Sequence, residues 1–179
     1  MMLYLSTILI VFSACGNTKY TNGIDKNLDD MVENKSFEIK NRWASPQLTT
    51  TKQQISNIVL FPNGSSTGNI DISNITNYLK IKNDSVMAYL PFYGERRFGG
   101  AYNNTAGIEF EGIPNDFQIN KGKKGSYEIR FSIDDKNTNT ENYRVYIKLL
   151  PDMSSTININ SSGRSSIQYR GNINIAGGD

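Results

Sequence analysis

The chain has 179 residues, a formal net charge of +2 and a hydrophobic content of 37%. This length suits one well-cored domain, and no Pro/Ser-rich or charge-run linker divides the chain into two. The 19 basic and 17 acidic residues are spread along the chain, which gives no concentrated field for a polyanion and argues against nucleic acid as a partner.

The amino-terminal residues form an apolar run that ends at a cysteine. Residues 3–12 (LYLSTILIVF) are almost wholly apolar, and Ser13 and Ala14 then precede Cys15. As a helix rising about 1.5 Å per residue, this run spans only half of a bilayer. We therefore expect residues 1–14 to be a lipoprotein signal peptide, with Cys15 acylated at a lipobox. The alternative is a soluble exported protein in which Cys15 merely lies near the cleavage site.

Cys15 is the only cysteine, so the body of the protein contains neither a disulfide nor a catalytic thiol. An acylated cysteine carries more than one fatty chain, such as palmitate, and two chains anchor a protein stably where one binds only marginally. The expected location is the cell envelope, with the outer membrane of a Gram-negative bacterium as the anchoring membrane.

Residues 15–35 are expected to be a tether that ends in one short helix. Leu28, Met31 and Val32 have helical spacing, and Asp25 is placed to cap the helix. From residue 36 onward the period changes to two, which predicts a single β domain over residues 36–179.

Alternating apolar residues mark the predicted strands of this domain. The first strand has Phe37, Ile39 and Trp43 on one face. The later sets are Leu79 and Ile81; Val86, Ala88 and Leu90; Ile108 and Phe110; Phe117 and Ile119; Tyr127, Ile129, Phe131 and Ile133; Tyr143, Val145, Ile147 and Leu149; Ile157 and Ile159; Ile167 and Tyr169; Ile173 and Ile175. Short turn-forming stretches between them favour hairpins. The sequence thus predicts an all-β, antiparallel two-layer sandwich of about nine or ten strands, with a partly open barrel as the alternative.

Several segments, in their order, resemble a family of bacterial lipoproteins known as domain of unknown function 4251. The resemblance covers roughly residues 37–173 and is most specific in residues 78–94 (YLKIKNDSVMAYLPFYG), where the family has a form similar to LPYFG. Phe92 and Tyr93 stand in swapped order here. Further matches are GIEF at 107–110, YEI at 127–129 and SIQYRG at 166–171. The resemblance implies a signal, a lipid anchor and a β-rich domain, and it carries no known activity.

The chain has no histidine, which excludes Ser-His-Asp triads, imidazole bases and histidine-based metal sites. Carboxylate chemistry remains, because Glu109 and Glu111 lie two apart on one predicted strand and point to the same face. A retaining glycosidase needs two carboxyls about 5 Å apart, but an ordinary solvated face explains the pair without any site and is the favoured interpretation. The GKKG stretch at residues 122–125 is interpreted as a tight turn rather than a phosphate cradle. No cofactor is implied.

Asp135, Asn137 and Asn139 alternate as in a calcium-binding loop. Thr140 stands where that motif needs glycine, and Tyr146 stands where it needs a bidentate glutamate. An ordinary hairpin loop is therefore the favoured interpretation, and no metal site is expected.

The segment at residues 91–102 (PFYGERRFGGAY) is the candidate binding surface, because aromatic rings, two arginines and glycines fall together in a predicted loop. Aromatic faces with guanidinium groups suit sugars, peptides or anionic glycans. The alternative is that the first two aromatics plug one end of the domain while the arginines stay solvated. The candidate residues are Phe92, Tyr93, Arg96, Arg97 and Tyr102.

The resulting hypothesis is a non-catalytic binding or interaction module of the cell envelope. Its expected partners are the membrane, through the lipid anchor, and an envelope glycan or protein. Two alternatives stay open: an envelope enzyme that acts on glycan or peptide through carboxylates, and a structural component without a ligand.

Overall fold

The computed structural model describes residues 24–47, 66, 68–96, 107–138 and 140–176. These residues contain one α-helix and ten β-strands, and all ten strands belong to one antiparallel sheet. The elements are α1 (Ile24–Glu33), β1 (Ser36–Pro46), β2 (Ile70–Asp71), β3 (Tyr78–Lys82), β4 (Ser85–Pro91), β5 (Gly107–Gly112), β6 (Asn115–Lys121), a 3₁₀ turn (Lys123–Gly125), β7 (Tyr127–Asp134), β8 (Asn142–Leu149), β9 (Ser154–Ser161) and β10 (Ile167–Ile175).

The strand order of the sheet is β5-β4-β3-β1-β10-β9-β8-β7-β6, and β2 pairs with β1. The strands β5 and β6 are the two edges, yet only Ile113 and Pro114 join them along the chain. A sheet can satisfy this connection only by curling until its edges approach each other. The result is a curled half-barrel. The predicted all-β antiparallel domain with one short helix is therefore confirmed, and its architecture is the partly open barrel rather than the sandwich.

The concave side of the half-barrel holds the core. The apolar faces predicted for the strands supply most of its buried residues, and α1 packs against the same cluster. Leu28, Met31 and Val32 are all buried, which confirms the predicted apolar face of the helix. The helix begins at Ile24, one residue before the predicted cap Asp25, whose side chain lies outside the described residues. No helix within the described ranges is long and apolar enough to cross a membrane.

Strand β1 changes phase halfway along its length. The sequence predicts Trp43 on the same face as Phe37 and Ile39, but the register with β10 shifts between Asn41 and Trp43. Asn41 and Ala44 are buried, whereas Trp43 is only half-buried. The prediction for Trp43 was wrong because a β-bulge inserts one extra residue, and the alternation of apolar residues does not reveal it.

Asn77 holds this bulge in place. Its side-chain oxygen accepts a hydrogen bond from the backbone N–H of Asn41 at 2.8 Å. Its amide nitrogen lies within 3.1 Å of the carbonyl oxygens of Asn41, Ile72 and Ile75. On the other side of β1, Gly171 permits the close approach, because a Cβ atom there would lie 2.0 Å from a β1 carbonyl oxygen. Buried backbone groups at the bulge are thus satisfied by one side chain.

We expect Asn77→Ala to lower the free energy of unfolding by about 3 kcal/mol, because it removes partners from several buried backbone groups at once. Ser155→Ala is the control, since that buried hydroxyl has no hydrogen-bond partner among the described residues. Its removal should leave stability unchanged or raise it by about 1 kcal/mol. Urea denaturation measures both, and similar losses in the two variants would contradict this role for Asn77.

A charged contact fixes α1 to the sheet. The Tyr127 hydroxyl donates to Oδ1 of Asp29 at 2.5 Å, and Lys121 Nζ lies 3.0 Å from Oδ2. The hydrogen bond from Tyr127, followed by the one from Lys121, holds the pKa of Asp29 below its ordinary value. Ionised Asp29 therefore stabilises the fold above the ordinary carboxyl pKa of about 3.9, and this contribution is lost as pH falls through the lowered pKa.

We predict that Asp29→Asn destabilises the protein by about 1 kcal/mol at pH 7, a modest value because the carboxylate is partly exposed. The difference from the wild type should begin to shrink below about pH 4, where Asp29 takes up a proton in the unfolded chain, and should vanish once the pH falls below its lowered pKa in the folded protein. Thermal unfolding between pH 3 and 7 tests this, with the exposed neighbour Asp30→Asn as the control. A difference that is independent of pH would disprove the assignment.

Candidate functional site

A buried arginine lies at one end of the half-barrel, in the turn between β9 and β10. Arg164 is only 3% exposed. Its Nε lies 2.8 and 3.0 Å from the two carboxylate oxygens of Glu141, and its Nη1 donates to the backbone oxygen of Gly107 at 2.5 Å. The guanidinium carbon also lies 5.2 Å from the centroid of the Phe92 ring. A buried charge needs neighbours of this kind, because an unpaired one is costly to desolvate.

A second acid completes the group. Asp135 is 5% exposed, and its Oδ2 lies 4.0 Å from Arg164 Nη2 while it accepts a hydrogen bond from the Tyr143 hydroxyl at 2.5 Å. Burial, and then this hydrogen bond, raise the pKa of Tyr143. We call Arg164, Asp135, Glu141 and Tyr143 the Arg164 network. The charged groups of this network pair with one another inside the protein. This pairing indicates that the network stabilises this end of the half-barrel.

Two of the predicted binding residues lie next to the Arg164 network. Phe92 and Tyr93 follow β4, are half-buried and pack against the core. Burial raises the pKa of Tyr93. These two side chains thus fill the end of the half-barrel, and their part in binding stays a prediction. Arg97 and Tyr102 lie outside the described residues, as does Cys15.

The β9–β10 turn also holds both ends of the segment between Arg96 and Gly107. Arg96 forms a backbone bridge with Arg164. The backbone N–H of Ser165 donates to the oxygen of Glu95 at 2.8 Å, and the Ser165 hydroxyl accepts from the backbone N–H of Glu95 at 2.9 Å. Arg164 then binds the backbone of Gly107 at the other end. The start and the end of this segment are therefore attached to one rigid base.

The predicted carboxylate pair lies on β5, where Glu109 and Glu111 share the outer face of the sheet. Lys136 Nζ lies 2.6 Å from Glu111 Oε2, and the backbone N–H of Lys136 donates to the carbonyl of Glu109 at 2.9 Å. The hydrogen bond to Glu111 raises the pKa of Lys136. Asn137 adds an amide contact to Glu109 at 3.4 Å. These contacts join the edge strand β5 to the segment after β7, so both glutamates lie where β5 approaches the end of β7.

The suggested calcium loop is a hairpin loop in the structure. Asp135 Oδ1 accepts from the backbone N–H groups of Asn137 and Thr138 at 2.8 and 2.9 Å, the geometry of an Asx turn. Asn139 lies outside the described residues. Within the described ranges, no three His, Cys, Asp or Glu side chains are grouped to hold a metal ion. One oxygen of Asp135 therefore shapes the loop, and the other binds Tyr143.

The GKKG stretch is the predicted tight turn. The backbone N–H of Gly122 donates to the carbonyl of Ser126 at 2.7 Å, and Lys124 adopts the left-handed conformation with φ of 56°. Both of its lysines are exposed and lie beside a groove at this end of the sheet. The turn thus brings two positive charges to the outer face, a feature that the sequence pattern did not indicate.

Comparisons with known proteins bear on the family and the fold. The model of the family described as Domain of unknown function (DUF4251) matches residues 22–173. The crystal structure of a DUF4251 family protein from Bacteroides eggerthii DSM 20697 is similar, with a TM-score of 0.54 and 14% sequence identity, over 85% of this chain and 87% of that chain. At this identity the likeness concerns the fold alone. No curated protein matches the chain.

Because Arg164 pairs with two acids, we expect a single substitution of this residue to lower the stability of the protein strongly. Arg164→Leu should lower the free energy of unfolding by about 3 kcal/mol or more, because it leaves the buried Asp135 and the mostly buried Glu141 without their positive partner. Arg144→Leu, on the exposed face of β8, should change it by no more than about 0.5 kcal/mol. Guanidinium denaturation compares the two. Equal small losses would show that the network does not hold this end of the domain.

Proposed function

This chain belongs to the DUF4251 family, described as a domain of unknown function, and we propose that it is an exported, lipid-anchored binding module of the cell envelope. The observation that carries the proposal is the rigid base at the end of the half-barrel. There Arg164 and Ser165 hold both ends of the segment that contains Arg97 and Tyr102 of the predicted binding surface. Binding residues commonly lie on segments that a rigid scaffold positions.

The charged side chains near this surface pair with one another, and this supports binding rather than catalysis. Arg164, Asp135 and Glu141 contact one another in the interior, where they stabilise the fold. Phe92 and Tyr93 offer aromatic surface that is half-buried and therefore pre-organised. Pre-organised aromatic side chains suit recognition of an envelope glycan or protein.

The support for the anchor comes from the sequence and from the start of the fold. The apolar run before Cys15 ends in the small residues of a lipobox. The eight residues between Cys15 and α1 reach at most about 28 Å when fully extended. Helix α1 is in turn tied to the sheet through Asp29. In this proposal the domain stays close to the membrane surface, where its partner must also lie.

Intact-mass analysis of membrane-fraction protein tests the anchor. We expect the wild type to begin at Cys15 and to carry the added mass of its acyl chains, and Cys15→Ala to lose both features. Thr18→Ala, just beyond the lipobox, is the matched control and should be processed like the wild type. An unacylated wild-type chain would overturn the anchor.

Crosslinking in intact cells tests the binding surface. A photo-crosslinking residue at Tyr93 should give a discrete product, and one at Ser85, at the opposite end of β4, should not. Equal products at both positions, or none at Tyr93, would contradict the proposed surface.

A further inference from the structure

The outer face of the sheet carries a line of basic side chains that come from three parts of the chain. The turn before β7 supplies two lysines, β7 supplies one arginine, and β8 supplies an arginine and a lysine. All five are exposed. We call these residues the basic track; they are Lys123, Lys124, Arg130, Arg144 and Lys148.

An aromatic ring lies in the middle of the basic track. Tyr146 is directly opposite Arg130 on β7 and Asn158 on β9, and it is 39% exposed. The guanidinium carbon of Arg130 lies 6.0 Å from the centroid of the Tyr146 ring, and its Nη2 lies 3.2 Å from Glu128 Oε2. Strands lie about 4.8 Å apart, so these side chains form one row across the sheet. The ring is thus held on a rigid backbone between positive charges.

Three grooves follow one another along the track. One of about 250 Å³ is lined by Gln118 and Arg144, and one of about 230 Å³ by Lys148 and Asn158. Arg130 and Tyr146 line both of them. A third groove of about 620 Å³ begins at Lys148 and extends to the two lysines of the turn. The shared walls make the three grooves one continuous surface that suits an extended chain.

The charge of this surface is positive. Three acidic residues line the grooves, namely Asp116, Glu128 and Asp152, against the five basic residues of the track. Two of these acids already have partners within the protein. Glu128 contacts Arg130, and Asp152 Oδ1 accepts from the backbone N–H and the hydroxyl of Ser154 at 3.0 and 2.6 Å. The surface is therefore complementary to an extended anion.

We infer that the basic track binds an acidic polysaccharide, a glycan chain that carries carboxylate or sulfate groups. The exposed ring of Tyr146 stacks against a sugar ring, and Arg130 and Arg144 form charge-assisted hydrogen bonds with its anionic groups. The amides of Gln118 and Asn158 bind hydroxyl groups in the adjoining grooves. The choice of a glycan over a nucleic acid rests on the proposed function, because an exported domain meets glycans in the envelope.

The test is a binding titration of the full-length chain in detergent with polygalacturonate and dextran sulfate, and with uncharged dextran as the neutral probe. We expect the acidic polymers to bind, with an affinity that falls as salt rises, and dextran to bind far more weakly. The double variant Arg144→Gln/Lys148→Gln should weaken binding about tenfold, and so should the single variant Tyr146→Ala. Lys40→Gln with Lys82→Gln, on the far half of the same face, should bind like the wild type.

Three outcomes would overturn the inference: neither acidic polymer binds, the track variants bind like the wild type, or a single-stranded DNA oligonucleotide binds more tightly than both polymers. The result is independent of the acylation measurement. If the chain is acylated but binds no acidic polymer, only the inference about the basic track is rejected. If the chain is unacylated but binds through Tyr146, only the proposed lipid anchor is rejected.

Discussion

The short connection between the two edge strands is the constraint on which the architecture depends. Ile113 and Pro114 lead from β5 at one edge of the sheet to β6 at the other, so the sheet has to curl. The curl encloses the apolar faces of the strands, and it brings Lys136 within hydrogen-bonding distance of the β5 backbone at Glu109. An edge strand that is paired in this way is protected from joining another chain. The Arg164 network then closes one end of the resulting half-barrel.

The charged residues of the protein divide into two groups with different roles. Inside, Arg164 and its acids lie in a low-dielectric setting where each charge needs a partner, so they fix the geometry of the domain. Outside, the charges of β7 and β8 remain in contact with water, where ion pairs contribute little to stability. Those outer side chains are therefore free to serve recognition, and the interior keeps the backbone beneath them rigid.

The sequence predicted the strands except the two-residue β2, and most of their faces, because alternation alone decides which side chains point inward. It missed the bulge at Asn41, since an extra residue in one strand leaves no local mark. Arg164 was also missed, because an arginine in a Ser/Gly-rich turn is usually solvated. The outward positions of Arg130 and Tyr146 could be predicted, but their juxtaposition depends on the register between β7 and β8. Charges that are spread along the sequence thus form one patch only after pairing.

The position of β10 has a consequence for the order of folding. The strands β1, β3, β4 and β5 form one half of the sheet and β6 to β9 the other, and β10 pairs with β1 on one side and β9 on the other. The last strand of the sheet therefore joins the two halves, and contacts between residues so distant in sequence form slowly. During synthesis the sheet stays incomplete until this segment has emerged. If the chain is exported as we propose, this delay gives it more time to cross the translocon while it is unfolded.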